Sequence, residues 1–517
     1  MKTYDVIVIG AGNGGLVAAA GCAKAGLSTL LLEKHNIPGG SASSFVRGRF
    51  EFDPSLHELC EVGPEKDSAT VNIIFDSIGV DVDWRRHPST FRFVVPAKEG
   101  DPDAFVNEDG VLVSVDARMP TGYKEFAQKL DDIVPGSYDS CMAAFDLADR
   151  MNALFQATED FSQLPGTVKF LPDVMRAVSH SLKDMLDALG MPKKAQDIFC
   201  TYWSYLGLPA SKMDSIYLTM ISSYVKYGSV VPHHRSHEIS LSIDKAIRDN
   251  GGDIWYNSEV TKVITENGKP AGVVINGEKE VYGKFFICNS YPNAVWSDLF
   301  DLNDVPEKQL KMVNSRKVAC SLTTVYLGLN KTKEELGFKD YSIIVAPDAD
   351  SDKQYEKAQD FFSGYCIINC LNNVIPDCTP DGTCQLFLTT ITYGDSMKDV
   401  RPQDYKKFKN KVALDMIETC EKALNISIKP YIEEIEIALP PTFARYLNTP
   451  HGTPYGYSTD IWDGVLPRNI QVQADRPFDN FVFCGASQER GDGYSSAYFT
   501  GKRAAKDAVT ALKKGGK

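Results

Sequence analysis

The first forty residues constrain the fold most, because they place a strand, a glycine-rich turn, a helix and a second strand in a fixed order. The apolar run 6–9 leads into GAGNGG at residues 10–15, an alanine-rich stretch follows, and the next apolar run ends at Glu33. The glycines permit a tight turn, a close approach of backbone to a pyrophosphate and close helix–sheet packing. This order predicts a βαβ unit that binds a dinucleotide, with Glu33 accepting hydrogen bonds from ribose hydroxyls.

Length and composition narrow the class of protein further. A chain of 517 residues with 43% hydrophobic and 24% charged residues is typical of a globular protein with two or more domains, and no run of 18 apolar residues predicts a membrane span. The net charge of −13 argues against nucleic-acid binding, which draws on Lys and Arg. It also disfavours broad adsorption to anionic lipid, although a local apolar patch is compatible with peripheral membrane contact.

The sequence gives little indication of targeting to a compartment or of metal binding. The chain passes from Met1 to Asp5 directly into the first strand, which leaves no room for a signal peptide and predicts a cytoplasmic protein. The twelve cysteines lack CxxC spacing, so we interpret them as reduced thiols and predict no metal site. The sequence carries no signal for an oligomeric state.

Two later regions extend the βαβ unit. Between residues 250 and 288, the Asn-Gly pairs at 267–268 and 276–277 separate β-rich runs, which predicts an antiparallel ribbon. Near the end of the chain, a strand at 481–484 and the Gly485-Ala486 turn lead to a helix from about Ser495. The intervening segments, including predicted helices at 174–189 and 407–424, have the character of a separate mixed domain.

Four segments carry a family resemblance. Residues 6–45, 250–268, 445–456 and 481–505 resemble the FAD-dependent phytoene desaturase, carotenoid isomerase and retinol saturase group, which is related to the amine oxidases. The resemblance implies FAD as the cofactor. It also implies a doubly wound α/β FAD-binding domain of Rossmann type with an inserted antiparallel β-ribbon, plus a mixed α+β substrate domain.

The resemblance also divides the chain and locates the cofactor contacts. The FAD-binding domain is expected from residues 1–62, 230–318 and 455–517, and the substrate domain from residues 63–229 and 319–454. The cofactor-binding residues that we expect are Gly10, Gly12, Asn13, Gly14, Gly15, Glu33, Lys34, Gly39, Gly40, Ser41, Val260, Gly485, Ala486, Tyr494 and Ser495.

The sequence departs from the family at two places. Many relatives have an acidic residue where this chain has Ala486. In segment 231–237 (VPHHRSH), three histidines and an arginine replace the glycine pair that usually follows the proline. Arginine can bind a carboxylate and histidine titrates near neutral pH, so His234 and Arg235 are candidate catalytic residues. The alternatives are a solvated interdomain loop and a metal site.

Two further catalytic candidates come from segments that approach the flavin in relatives. His57 follows the Gly39-Gly40 loop at the spacing of residues beside the flavin ring, and a buried structural histidine is the alternative. Tyr494 is a candidate proton donor or an aromatic wall, as is Tyr455.

The expected function is FAD-dependent desaturation, saturation or isomerisation of carbon–carbon bonds in a lipophilic unsaturated substrate, such as a polyene, isoprenoid or fatty acid. Since the sequence has no second glycine fingerprint, electrons are expected to come from or go to an external partner. The alternatives are amine or amino-acid oxidation and a flavin-binding scaffold or redox sensor without turnover.

Overall fold

The fold is built on two large sheets flanked by helices. The computed structural model describes residues 3–64, 69–159, 164–178, 180–474, 476–491 and 493–514. The strands are β1 Thr3–Ile9, β2 Thr29–Leu32, β3 Phe45–Arg47, β4 Phe50–Phe52, β5 Trp84–Arg86, β6 Phe91–Pro96, β7 Phe105–Val106, β8 Leu112–Met119, β9 Val230–Pro232, β10 Asp253–Trp255, β11 Val260–Glu266, β12 Lys269–Ile275, β13 Lys279–Cys288, β14 Ser321–Leu329, β15 Ser342–Val345, β16 Cys366–Cys370, β17 Cys384–Thr392, β18 Ile432–Ala438 and β19 Phe481–Phe483.

The helices are spread along the whole chain. They are α1 Asn13–Lys24, α2 Thr70–Ile78, α3 Tyr123–Ile133, α4 Tyr138–Glu159, α5 Leu164–Thr167, α6 Leu171–Ala177, α7 Leu182–Ala188, α8 Lys193–Phe199, α9 Trp203–Leu206, α10 Leu218–Tyr227, α11 Ser236–Asp249, α12 Pro292–Ala294, α13 Glu307–Ser315, α14 Lys333–Leu336, α15 Ser351–Lys357, α16 Tyr405–Leu424, α17 Pro440–Leu447, α18 Val465–Ala474 and α19 Tyr494–Lys514.

The first sheet places the glycine turn at the edge where ligands bind in open α/β folds. Its parallel strands lie in the order β10-β2-β1-β13-β19, although β19 begins 478 residues after the start of β1. Helices α1, α11 and α19 pack together on one face, and α1 makes its most extensive helix contact with α19. Because the carboxyl ends of parallel strands meet at one edge, the turns after β1, β13 and β19 converge there. The predicted α/β fold with a Rossmann-type domain is confirmed.

The predicted ribbon is an extension of this sheet. Strands β11, β12 and β13 pair antiparallel through the two Asn-Gly turns. Asn267 and Asn276 have φ values of 52° and 53°, and the glycine after each has a φ above 70°. Positive φ at both central residues is the requirement of a type I′ hairpin, which explains why Asn-Gly occurs at both turns.

The second large sheet has eight strands and is covered by helices on both faces. Its eight strands lie in the order β18-β14-β17-β16-β15-β6-β8-β7, and β15 and β6 form its parallel pair. All nine residues of β14 and all nine of β17 are buried, since one face of the sheet packs on α16 and the other on the helices of residues 123–227. Because both faces of the sheet are covered, the polar side chains of these two strands, such as Thr324 and Gln385, are buried together with the apolar ones.

One predicted helix is wrong. The segment predicted as a helix over 174–189 forms two helices, α6 and α7. Ser181 has an extended backbone and caps α7, since its hydroxyl oxygen accepts from the N–H of Asp184 while the Asp184 carboxylate accepts from Ser181. This capping box starts a new helix where the apolar periodicity suggested continuity. The helix predicted over 407–424 is confirmed as α16.

The domain boundaries stay a prediction. Helix α2 and residues 80 and 82 pack in the same hydrophobic cluster as α1 and α11, on the first sheet. We therefore propose that the first segment of the FAD-binding domain extends beyond residue 62 to about residue 82. Among the described helices, none has the length and apolar character to span a membrane.

Candidate functional site

One cavity of about 520 Å³ runs between the two sheets. Its polar end is lined by the glycine turn after β1, by Glu33 and Lys34 after β2, and by Val260 of the ribbon. Its apolar end is lined by side chains of α10 and of strands β14, β16 and β17. The cavity therefore joins the dinucleotide fingerprint to the second sheet without a break.

The glycine turn is packed too closely for side chains. A Cβ on Gly14 would lie 2.7 Å from the Asn289 side-chain oxygen and 2.8 Å from the Gly485 nitrogen, and a Cβ on Gly12 would lie 2.5 Å from the Asn289 amide nitrogen. A Cβ on Gly15 would lie 1.9 Å from the Gly10 carbonyl oxygen. Asn289 follows β13, so residues after three different strands meet at the N-terminus of α1.

The N-terminus of α1 has free polar groups that face the cavity. Gly12, its N-cap residue, provides no side-chain hydrogen bond to the first N–H groups. The side-chain oxygen of Asn13 is buried and lacks a hydrogen-bond partner among the described residues, and Asn13 lines the cavity. Unpaired N–H groups at a helix N-terminus form an anion site, so this end of the cavity fits a pyrophosphate.

Glu33 is held in place by backbone donors. Its carboxylate accepts hydrogen bonds from the N–H groups of Ala11 and His35, at 2.7 and 2.8 Å, one on each oxygen. Each oxygen keeps a further lone pair, and Glu33 lines the cavity. This arrangement supports the predicted contact to ribose hydroxyls.

The Gly39-Gly40 loop lies directly against the glycine turn. Gly39 forms an isolated parallel bridge with Gly12, and its N–H donates to the Ala11 carbonyl at 2.8 Å. Gly39 and Gly40 have φ values of 115° and 60°, which L side chains rarely adopt. The two glycines let the loop close over the same space that the N-terminus of α1 faces.

The Tyr494 hydroxyl binds this loop. It donates to the Ser41 carbonyl at 2.7 Å and lies 3.2 Å from the Ser55 hydroxyl. Burial raises the pKa of Tyr494 above its usual range. The ring lines the cavity, but the hydroxyl is already engaged with backbone, so the geometry favours a positioning role over that of a proton donor.

All but one of the predicted cofactor-binding residues line this cavity. Gly15 does not line the cavity, because it serves the packing of α1 against Gly10. The predicted residues that line it are Gly10, Gly12, Asn13, Gly14, Glu33, Lys34, Gly39, Gly40, Ser41, Val260, Gly485, Ala486, Tyr494 and Ser495. Their contacts with a cofactor remain a proposal.

His57 lies at the junction between the polar and apolar ends. Its ring stacks on Phe387 with centroids 4.6 Å apart and lines the cavity. Nε2 is buried and has no hydrogen-bond partner in the described part of the chain. Burial lowers the pKa of His57 to about 3, so its imidazole is neutral at physiological pH. A catalytic role for His57 stays a prediction.

Glu58, the next residue, is a buried acid on the cavity wall. Four hydroxyl groups lie within hydrogen-bond distance of its carboxyl oxygens, and they belong to Tyr202, Tyr205, Ser229 and Ser342. Glu58 is 5% exposed, and burial raises the pKa of its carboxyl group. We did not expect this cluster from the sequence.

His234 and Arg235, predicted as catalytic candidates, do not line the cavity. The His234 side chain is exposed. Arg235 is buried, but its guanidinium donates to the backbone carbonyls of Cys378 and Glu51, at 2.5 and 3.3 Å. Its backbone has φ 70° and ψ 172°, so Arg235 occupies a conformation that normally requires glycine. The expectation of a substrate contact is therefore not supported, and the Arg235 side chain ties the start of α11 to neighbouring loops.

A surface cluster next to this loop has a metal-like geometry. Ligand atoms of Asp83, His233 and His234 lie within 4.8 Å of one another. The Arg85 guanidinium, however, donates to Asp83 at 2.7 Å and lies 3.1 Å from Nδ1 of His233. Because the positively charged guanidinium of Arg85 already contacts this cluster, we assign no metal to it.

Comparisons with known proteins agree with this architecture. Residues 8–69 match the NAD(P)-binding Rossmann-like domain family. The chain is 24% identical over 496 residues to a chloroplastic prolycopene isomerase of Daucus carota, covering 90% of this chain and 76% of the relative. It is 23% identical over 525 residues to an all-trans-retinol 13,14-reductase of Danio rerio, covering 94% and 82%.

The chain is related to the FAD-dependent carotenoid isomerase, desaturase and retinol saturase group. Solved structures show the same fold. An oxidoreductase from Methanosarcina mazei is 16% identical with a TM-score of 0.65, covering 97% of this chain and all of that one. A cyclohexylamine oxidase from Brevibacterium oxydans is 14% identical with a TM-score of 0.61, covering 99% and 100%.

The cofactor of this site is FAD, and the residues present fit it. The uncapped N-terminus of α1 suits the pyrophosphate, and the Glu33 carboxylate suits a ribose without a 2′-phosphate. The cavity then continues past the Gly39-Gly40 loop toward His57, which leaves room for the flavin between the two sheets.

Sequence reasoning missed Asn289 and Glu58. Asn289 directly follows β13, so its position after a parallel strand next to β1 is a signal that could have found it. Glu58 had no such signal, since its four hydroxyl neighbours come from residues 144 to 284 positions away.

Proposed function

We propose that this protein is an FAD-dependent oxidoreductase that acts on carbon–carbon bonds of a lipophilic, unsaturated small molecule. The relatives named above are a prolycopene isomerase and a retinol 13,14-reductase, whose names refer to polyene substrates. The observation that carries the proposal is the continuity of the cavity, from the dinucleotide fingerprint to an apolar wall.

The apolar wall supports a substrate that carries a chain of carbon atoms. Met220, Leu322, Ile367 and Ile391 line this end together with Tyr224. All five belong to strands or helices packed in the core of the second sheet, so the wall is rigid. When bound, FAD supplies hydride transfer to or from a carbon atom held against its ring.

The chain's own residues position the substrate and exclude water. The apolar wall fixes the substrate's carbon atoms, and the neutral His57 ring, stacked on Phe387, adds no charge that would attract water. We propose that electrons enter or leave through an external donor or acceptor, because this chain has one dinucleotide fingerprint.

Anaerobic absorption spectroscopy tests the proposal. Purified holoenzyme is mixed with polyenes, isoprenoids or unsaturated fatty acids, once with oxidised and once with reduced flavin. Bleaching of oxidised flavin would indicate desaturation, reoxidation of reduced flavin saturation, and product formation with neither would indicate isomerisation. In a separate aerobic assay, hydrogen peroxide released with amines would show amine oxidation instead, and a flavin that responds to no substrate would favour a non-catalytic flavoprotein.

A variant of the apolar wall adds a control. Ile367→Phe places extra volume in the apolar end, whereas it leaves the residues of the glycine turn untouched. We expect long polyenes to lose turnover while the flavin content stays that of the wild type. Equal turnover of long and short substrates in this variant would contradict the assignment of the apolar end.

A further inference from the structure

We propose that Tyr205 is the proton donor to the substrate and that a protonated Glu58 resupplies its proton. This inference rests on the proposed function and deepens it, since it assigns the acid of the reaction. Both side chains line the cavity, and the Tyr205 hydroxyl lies 3.0 Å from Oε1 of Glu58.

The position of Tyr205 suits proton delivery. Its ring is half-buried and faces the cavity, whereas the neighbouring Tyr202, which also contacts Glu58, is fully buried and does not line the cavity. Ser229 and Ser342, the other two hydroxyl neighbours of Glu58, also lie outside the cavity lining. Tyr205 is therefore the one of these four hydroxyl groups that a substrate could reach.

Hydrogen-bond counting favours a proton on Glu58. The Tyr202 hydroxyl oxygen lies 2.8 Å from Oε2 of Glu58 and 2.8 Å from the carbonyl oxygen of Thr90. A hydroxyl has one hydrogen, and a carbonyl oxygen can only accept. If Tyr202 donates to Thr90, its contact with Glu58 is a hydrogen bond only when the carboxyl group carries the donated proton.

The charges around Glu58 favour the same state. Among the ion pairs of the described residues, none includes Glu58. Besides the hydroxyls already named, the titratable groups that interact with it are the phenols of Tyr224, Tyr341 and Tyr365. An isolated carboxylate in such surroundings is costly, because it loses hydration without gaining a cation. Burial correspondingly raises the pKa of Glu58.

A route for replacing the proton leads away from the cavity. Oε2 of Glu58 lies 3.2 Å from the Ser229 hydroxyl, which lies 2.5 Å from Nδ1 of His87. His87 is buried and its ring packs at a tilt against Tyr341, with ring centroids 3.9 Å apart. Hydroxyl and imidazole groups in contact can pass a proton along, so Glu58 is connected to a second titratable side chain.

The proton balance in the saturation direction is as follows. One carbon atom of the double bond accepts a hydride and its two electrons from reduced flavin, which an external two-electron donor regenerates. The other carbon atom accepts a proton from the Tyr205 hydroxyl, which leaves a tyrosinate. The Glu58 carboxylic acid, once its O–H has turned from Tyr202, then protonates the Tyr205 oxygen. Glu58 ends as a carboxylate, and desaturation is the reverse.

Two matched tyrosine variants test the donor. Tyr205→Phe and Tyr202→Phe each remove one hydroxyl from Glu58, but only Tyr205 faces the cavity. We expect Tyr205→Phe to lower turnover by roughly 10²-fold or more, as loss of a general acid does, while Tyr202→Phe retains most of its turnover. Both variants should keep their flavin. Equal losses in the two variants would overturn the assignment of Tyr205.

Infrared spectroscopy tests Glu58 independently of activity. In the difference spectrum between wild-type holoenzyme and Glu58→Gln, which keeps the side-chain shape, we expect loss of the carbonyl band of a protonated carboxylic acid. Other buried acids cancel in this difference. Loss of a carboxylate band instead would overturn the proposed protonation. If the wild type turns over none of the unsaturated substrates, the proposed function fails, and the infrared result still decides the state of Glu58.

Discussion

The hydroxyl of Tyr494 donates a hydrogen bond to the carbonyl oxygen of Ser41 at 2.7 Å, across 453 residues of chain. This contact links the first turn of the last helix to the loop that follows Gly39 and Gly40. The two segments line the same cavity, so α19 holds the loop after Gly39 and Gly40 in place beside the cavity.

Removal of this hydroxyl tests its role. We expect Tyr494→Phe to weaken FAD binding by roughly fivefold to tenfold, since one hydrogen bond contributes about 1 kcal/mol. Turnover with saturating FAD should stay close to that of the wild type. Fluorescence titration of apoprotein gives the affinity. A variant with normal affinity and lost turnover would instead indicate that Tyr494 is a proton donor.

The close packing of the glycine turn predicts loss of cofactor in Gly14→Ala. The new Cβ would lie 2.8 Å from the backbone nitrogen of Gly485, which cannot move aside as a flexible side chain would. We expect purified Gly14→Ala to contain little flavin, measured by the absorbance ratio of flavin to protein. Gly166→Ala is the control, because a Cβ at Gly166 meets no atom within 4 Å. Full flavin content in Gly14→Ala would refute this packing argument.

Arg235 allows backbone strain to be separated from side-chain contacts. Arg235→Ala and Arg235→Gly lose the same hydrogen bonds to Cys378 and Glu51, but only glycine adopts φ 70° with ψ 172° without strain. We expect the glycine variant to be more stable by about 1 kcal/mol, after the entropy cost of glycine is deducted from the relief of strain. Urea unfolding measures the difference. Equal stabilities would show that the backbone relaxes around alanine.

The neighbouring residue, His234, allows the predicted catalytic role of segment 231–237 to be tested. His234→Ala is expected to leave turnover unchanged, since the His234 side chain is exposed and does not line the cavity. Steady-state kinetics with the substrate identified by spectroscopy checks this. A large loss of turnover without loss of flavin would restore His234 as a functional residue.

The buried histidines predict a pH dependence of stability. Burial lowers the pKa values of His57 and His87 to about 3, while an unfolded chain has the usual value near 6.5. Between these values the unfolded state binds more protons, so each histidine lowers the free energy of unfolding as the pH falls from about 6.5 toward 3. The slope is about 1.4 kcal/mol per pH unit for each histidine.

Two histidine-to-asparagine variants test this pH dependence of stability. We expect the free energy of unfolding of His87→Asn to fall less steeply than that of the wild type between pH 6 and pH 4. This range lies between the pKa values of His87 in the folded and unfolded states. The same substitution at the exposed His234 should leave the slope unchanged. Denaturant unfolding at several pH values measures both. Equal slopes in the two variants would contradict a neutral, buried His87.

Local sequence patterns predicted the nucleotide end of the site well. The glycine turn and the Asn-Gly hairpins depend on backbone conformations that only certain residues adopt, and Glu33 is found from its place at the end of the second strand, so all three are visible in the sequence. The prediction of one helix over 174–189 was wrong because Ser181 and Asp184 form a capping box, which starts a second helix within a segment of helical apolar periodicity. The residue type of Arg235 predicts a catalytic role, which stays a prediction, whereas its glycine-like backbone conformation and its position outside the cavity lining are visible only in the structure.

The sequence by itself determined the βαβ unit and the ribbon, because these follow from short-range constraints on φ, ψ and strand order, whereas FAD as the cofactor was implied by the family resemblance. Only the tertiary structure decided which side chains share the cavity. Glu58 gains its four hydroxyl neighbours from residues 202 and 205, from the segment between α10 and β9, and from β15, and Arg235 lies outside the cavity lining although its residue type suggests a binding role. Such contacts depend on packing between elements far apart in the chain, for which a single sequence carries no local pattern.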